Sequence, residues 1–223
     1  MKYIKQILLG FFLVSYFNMN SQTTTIPLQN ELSLGSTSKN TYFKDVDGHL
    51  NKFIGTWEYS SNDKYFKIQF YKVSKVPDTY SSFSYGNFCD RLASFIEYKE
   101  KQNGQWTTIY NTFGTPALTN INFDYDGAIQ GYTIVSSNTN RMSLRYTEPT
   151  ETCRYTRTLK ITYMLQLGGG NPQLSWERDL GRYYVSGPPC DNVDESPFKI
   201  PANMVLTKIV TTGGGRGDLI IQD

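Results

Sequence analysis

The chain has 223 residues, with 22 Lys plus Arg against 20 Asp plus Glu, a net charge of +2 and a single histidine. Cations this few and this scattered exclude the basic footprint of a nucleic-acid binder, and one histidine excludes a multi-histidine metal centre. Aromatic side chains make up 15% of the chain, 17 Tyr and 13 Phe among them, and they suit pleated sheets better than helix interiors, so the composition leans to β.

Lys2 and Lys5 precede an apolar run from Ile7 to Phe17, which is followed by Asn18-Met19-Asn20-Ser21-Gln22. This is the three-part layout of a Sec signal, so residues 1–21 are expected to be a cleaved signal peptide. The run falls short of the roughly 20 apolar residues of a membrane span, and the first cysteine, Cys89, stands far from the cleavage site. The expectation is an exported protein, periplasmic or secreted, with neither a lipid anchor nor a transmembrane span. Residues 22–41, rich in Ser, Thr, Asn and Gln, read as a flexible leader. Residues 42–210 read as one domain, and the Gly-rich residues 211–223 as a flexible tail.

The domain opens with a short helical turn within residues 42–53, capped by Asp47. Strand signals follow at Gly55 to Tyr59 and Tyr65 to Val73, joined as a hairpin through Ser61-Asn62-Asp63. Arg91 to Lys99 is turned by Asn103-Gly104 into Trp106 to Asn111. Further strands are expected at Ile129 to Val135, Arg141 to Thr147, Arg154 to Leu167, Gln173 to Arg178 and Met204 to Val210. Between Arg154 and Leu167 the residues Leu159, Ile161, Tyr163, Leu165 and Leu167 alternate strictly with polar ones or Met164, the clearest one-face-buried pattern in the chain. About 8–10 short strands without a long amphipathic helix predict an antiparallel up-and-down barrel, which buries the aromatic face and removes exposed edges.

Phe53-Ile54-Gly55-Thr56-Trp57, at the start of the first strand, resembles the Gly-x-Trp opening of lipocalin-like barrels. The resemblance implies that Gly55 lets the chain bend, that Trp57 plugs the closed end, and that Lys208 on the last strand supplies the cation over the indole. More broadly, Asp45, Leu50 to Trp57, Asp90-Arg91-Leu92, Ile129-Gln130-Gly131, Ile200-Pro201 and Leu206-Thr207-Lys208 resemble an uncharacterised family, a domain of unknown function, of small exported lipocalin-like proteins from Bacteroidota. That resemblance implies no catalytic residues.

Other motifs carry little chemistry. His49, in a polar segment, reads as a surface side chain. Asn122 to Ile129 mimics the start of a calcium loop, but Thr133 stands where the bidentate glutamate belongs, so an Asp-Gly turn is expected and no metal site. Arg216-Gly217-Asp218 reads as a chance tripeptide. Glu58, Glu97, Asp124, Glu148 and Glu177 are the acids that a hydrolase would have to bring together. Cys89, Cys153 and Cys190 permit one disulfide in any of three pairings.

The expectation is therefore a non-enzymatic exported binding protein without cofactor, taking a small apolar or amphipathic ligand in the barrel. Phe95, Trp106, Tyr110, Tyr132, Tyr146 and Tyr163 are the candidate lining residues. The alternatives are a structural or protein-interaction module with a filled barrel and, third, a periplasmic hydrolase. The oligomeric state is not legible.

Overall fold

The structure, a computed structural model, describes residues 23–34, 39–77, 86–114, 129–135, 138–147, 154–180, 184–186 and 198–209. The expected signal peptide, the Gly-rich tail with its Arg-Gly-Asp, the calcium-like residues 122–128, Glu148, Cys153 and Cys190 lie outside them.

The described elements are β1 (Thr24–Pro27), a 3-10 turn (Leu28–Asn30), the single helical turn α1 (Glu31–Leu34), β2 (Thr41–Lys44), β3 (Gly55–Ser60), β4 (Lys64–Pro77), β5 (Phe88–Gln102) and β6 (Gln105–Asn111). β7 (Ile129–Val135), β8 (Asn138–Thr147), β9 (Arg154–Met164), β10 (Gln173–Arg178), β11 (Tyr184–Ser186) and β12 (Asn203–Lys208) complete the set. The turns follow local chemistry. Ser61 closes the β3–β4 hairpin, its N–H donating to Lys64 O at 2.8 Å and its Oγ accepting from Lys64 N at 3.1 Å. Asn103 and Gly104 both take positive φ, 51° and 83°, as a two-residue hairpin turn matched to strand twist requires.

All twelve strands belong to one sheet in the order β1-β2-β5-β4-β3-β12-β10-β9-β8-β7, with β6 added to β5 and β11 to β9. Two antiparallel meanders, β3 to β6 and β7 to β10, meet through β12, whose Thr207 and Lys208 pair with Glu58 and Trp57 of β3. The expected closed barrel does not form. No ladder among the described residues joins β7 back to the other end of the path, although β7 comes within 8 Å of β5 between Cα atoms. β2 and β6 already occupy both ends of the β5 edge that a closing strand would need. Nor is the sheet purely antiparallel, because β1 runs parallel to β2 and β2 parallel to β5.

Three further expectations change. Residues 22–41 are not simply a leader: Thr24–Pro27 forms β1, and Glu31 of α1 grips Arg91 of β5 with two charge-assisted hydrogen bonds of 2.7 and 2.6 Å. The helical turn over 42–53 is instead strand β2 and a chain of tight turns, and the capping side chain is Asp45, not Asp47. Asp45 Oδ1 accepts the His49 N–H at 2.7 Å and Oδ2 the Leu50 N–H at 3.2 Å. Finally, β9 stops at Met164, so Leu165 and Leu167 continue the alternation in sequence but stand 67% and 97% exposed. The last strand likewise ends at Lys208, short of Val210.

The buried face of the sheet is packed with its own aromatic side chains. Trp57, Trp176, Tyr98, Tyr146, Phe53 and Phe66 are each under 2% exposed. Phe66 and Tyr146 both meet Trp176 in edge-on contacts, with ring centroids 5.1 and 5.8 Å away. Such geometry favours the quadrupoles of the rings as well as burying area.

Candidate functional site

Gly55, Trp57 and Lys208 converge at the seam between the two meanders. Lys208 is the register partner of Trp57, and its Nζ lies 5.1 Å from the centre of the indole. The indole N–H donates to Phe53 O at 2.8 Å, and Tyr163 meets both Trp57 and Phe53 edge-on at 6.3 Å. Burial pushes Lys208 below the ordinary lysine value. At Gly55, φ is +118°, and an added Cβ would stand 3.0 Å from Lys208 Cε. Gly55→Ala is therefore expected to cost about 1–3 kcal/mol, read as a lower urea midpoint at unchanged slope.

The six candidate lining residues do not form one site. Tyr146 is wedged between Trp176 and Phe198, Tyr163 rests on Trp57, and Tyr110 stacks on Tyr98 at 6.2 Å, so these three are packing residues of the interior. Phe95 lies on the opposite face of β5 from the core residues Ile96 and Tyr98. There it stacks on Tyr71 at 5.2 Å and tilts against Phe113 at 5.9 Å. Trp106, on β6, is 47% exposed. The side chain of Tyr132 lies outside the described residues.

Charged groups extend the outer face around Phe95. Lys67 Nζ sits 5.0 Å from the Phe113 ring centre and Lys99 Nζ 5.4 Å from that of Tyr65. Lys99 also pairs with Glu97 at 2.8 Å, and Tyr65 donates to Glu58 at 2.8 Å. Glu177 accepts from Ser175 on the exposed surface. Of the acids considered for hydrolysis, these three are thus each held by a neighbour on their own or the adjoining strand, and Asp124 lies outside the described residues. His49 Nε2 is 3.7 Å from the exposed Asp47.

One polar cluster was not singled out from sequence as a unit. Asp45 and Asp90, 45 residues apart, are both buried and face Lys72 Nζ at 3.2 and 3.4 Å. Asp90 also accepts from Tyr42 OH at 2.5 Å, Asp45 N at 3.0 Å and Lys75 N at 3.1 Å. Lys75 has φ +54° and sits in the bulge of β4 between Val73 and Val76. The backbone donors let the carboxylates clamp the turn after β2 and the bulge of β4, while Tyr42 OH and Lys72 Nζ tie them to side chains of β2 and β4. Inaccessible carboxylates held by this many donors anchor the fold.

Burial, reinforced by the hydrogen bonds to Asp90 and Glu58, raises Tyr42 and Tyr65 well above the ordinary tyrosine value, and burial alone pushes Tyr71 up to about 12. These phenols hold their protons more tightly folded than unfolded. Their contribution to stability is complete below about pH 10 and is lost as the pH rises toward the folded values. Partly buried Lys52 and Lys208 shift the other way, and what they cost the fold is gone by about pH 10.4. The denaturation midpoint is expected to fall between about pH 10.5 and about pH 12, with phenolate absorbance at 295 nm rising alongside.

No helix among the described residues is long and apolar enough to cross a membrane. A family model described as a family of unknown function (DUF6705) matches residues 1–209. No curated protein and no solved structure matches the chain.

Proposed function

The chain belongs to that family of unknown function, and from its geometry we propose that it is an exported, non-enzymatic interaction module, lipocalin-like in origin, whose interior is filled and whose contacts are made by its outer surface. The observation that carries this reading is the fate of the candidate lining residues. Tyr146, Tyr163 and Tyr110 spend their rings on Trp176, Trp57 and Tyr98, while Phe95 and Trp106 stand outside the core. A ligand pocket needs some hundreds of Å³ of open, mostly apolar volume; an interior of interlocked rings spends that volume on packing. Export and release without a lipid anchor are supported by the signal layout of residues 1–21. The seam of Gly55, Trp57 and Lys208 supports the lipocalin-like relationship, with the sheet left open.

Titration with an apolar fluorescent probe, 1-anilinonaphthalene-8-sulfonate, tests the reading. A filled interior gives no saturable enhancement under native conditions. Stoichiometric, saturable binding that disappears when Tyr146 is enlarged to Trp would overturn it.

A further inference from the structure

We propose that β6 is the strand through which two copies of this chain pair, antiparallel and edge to edge, into one continuous sheet; the inference rests on the reading of the chain as an interaction module and names its partner. Among the described strands β6 pairs only with β5, and none takes its far edge. The register shows which groups are left open. Gln102 and Gln105 flank the two-residue turn and form a hydrogen-bonded pair, so the next pair, Lys101 and Trp106, points its backbone groups away from the ladder. Lys101 confirms this, since its N–H donates to Asp63 O on the far side at 2.8 Å. The N–H groups of Trp106 and Thr108 accordingly face outward from the sheet edge.

Edge strands are ordinarily blocked by charge, proline or shortness. Gln105-Trp106-Thr107-Thr108-Ile109-Tyr110-Asn111 has no charge and no proline and runs for seven residues. The other free edge near the N-terminus, β1, is four residues long and ends on Pro27. The opposite end of the path, β7, is drawn against β5. The occupant that suits β6 is a second β6. An uncharged strand offers no handle to a charged peptide, whereas a two-fold axis through Thr107 sets no like charges against each other and lays Trp106 beside the partner's Thr108 on the outer face, a favourable aromatic–β-branched pair. The nearest cations on that face, Lys99 and Lys101, lie one strand inward, and Lys99 is neutralised by Glu97.

The test is light scattering coupled to size exclusion on the exported chain, compared with Thr108→Pro and Thr108→Lys. Proline at 108 removes an outward N–H without touching a β5–β6 bond, and lysine places charge on the edge while leaving the backbone intact. The wild type should run as a dimer at micromolar concentration. Thr108→Pro, which deletes a symmetric pair of edge hydrogen bonds, should weaken it about a hundredfold, and Thr108→Lys, which brings two cations to the shared edge, should weaken it as well, with the melting of the monomer unchanged. A monomeric wild type overturns the proposal, as does a dimer that both variants leave intact. The filled interior is tested by a different readout, a small-molecule adduct in native mass spectrometry, so the two readings fail separately.

Discussion

Trp57→Ala is expected to destabilise the fold by about 3–5 kcal/mol, a large share of the 5–15 kcal/mol that holds a domain of this kind together. The indole is fully buried, and it stands where β3 meets β12, the joint on which both meanders depend. Magnitudes decide which of its contacts matters. The cation–π contact with Lys208 is worth about 0.5–2 kcal/mol, and part of that is returned by the cost of burying the ammonium, visible in its lowered pKa. Packing dominates. Lys208→Met should therefore be close to neutral, within about 1 kcal/mol, and Trp57→Phe intermediate. Urea denaturation of the three variants checks the order, and a Lys208→Met loss as large as that of Trp57→Ala would show that charge, not packing, holds the seam.

The second large effect is at Asp90. Asp90→Ala removes the acceptor of Tyr42 OH, Asp45 N and Lys75 N and leaves Lys72 beside Asp45 alone. Breaking a buried charged network by deleting one partner costs about 3–5 kcal/mol, because the orphaned donors remain out of water. The loss should be local before it is global. Hydrogen exchange at the Lys75 and Asp45 amides should accelerate first, since their acceptor is gone while the central β4–β5 ladder persists. A matched change on the surface, Glu177→Ala, is expected to stay within about 0.5 kcal/mol.

The strands were legible wherever one face is buried and the other wet. β9 announces itself through Leu159, Ile161 and Tyr163, and β8 through Met142, Leu144 and Tyr146. At its start β5 runs three residues ahead of the strand expected from Arg91, and these hide for the opposite reason. Cys89, Asp90, Arg91, Leu92, Ala93 and Ser94 are all buried, so no alternation survives, and the polar members are tolerable only because Glu31, Tyr42 and Lys72 come from far along the chain to satisfy them. β1 and β2 are four-residue strands held by parallel pairing, which leaves no local turn signature. Sheet closure is a property of which edges are already taken, and the competition of β2 and β6 for β5 has no counterpart in periodicity. Of the candidate site, Gly55, Trp57 and Lys208 were legible by motif, whereas the Asp45–Asp90–Lys72 clamp joins three distant segments and could be suspected only from aspartates placed at strand ends.

The account turns on the interior being filled by the protein itself. Native mass spectrometry of the chain purified from its own host tests this most directly. The account predicts the bare polypeptide mass, as monomer or dimer, with nothing lost on gentle activation. A stoichiometric small-molecule adduct that dissociates from the folded chain and is absent after denaturation would contradict it.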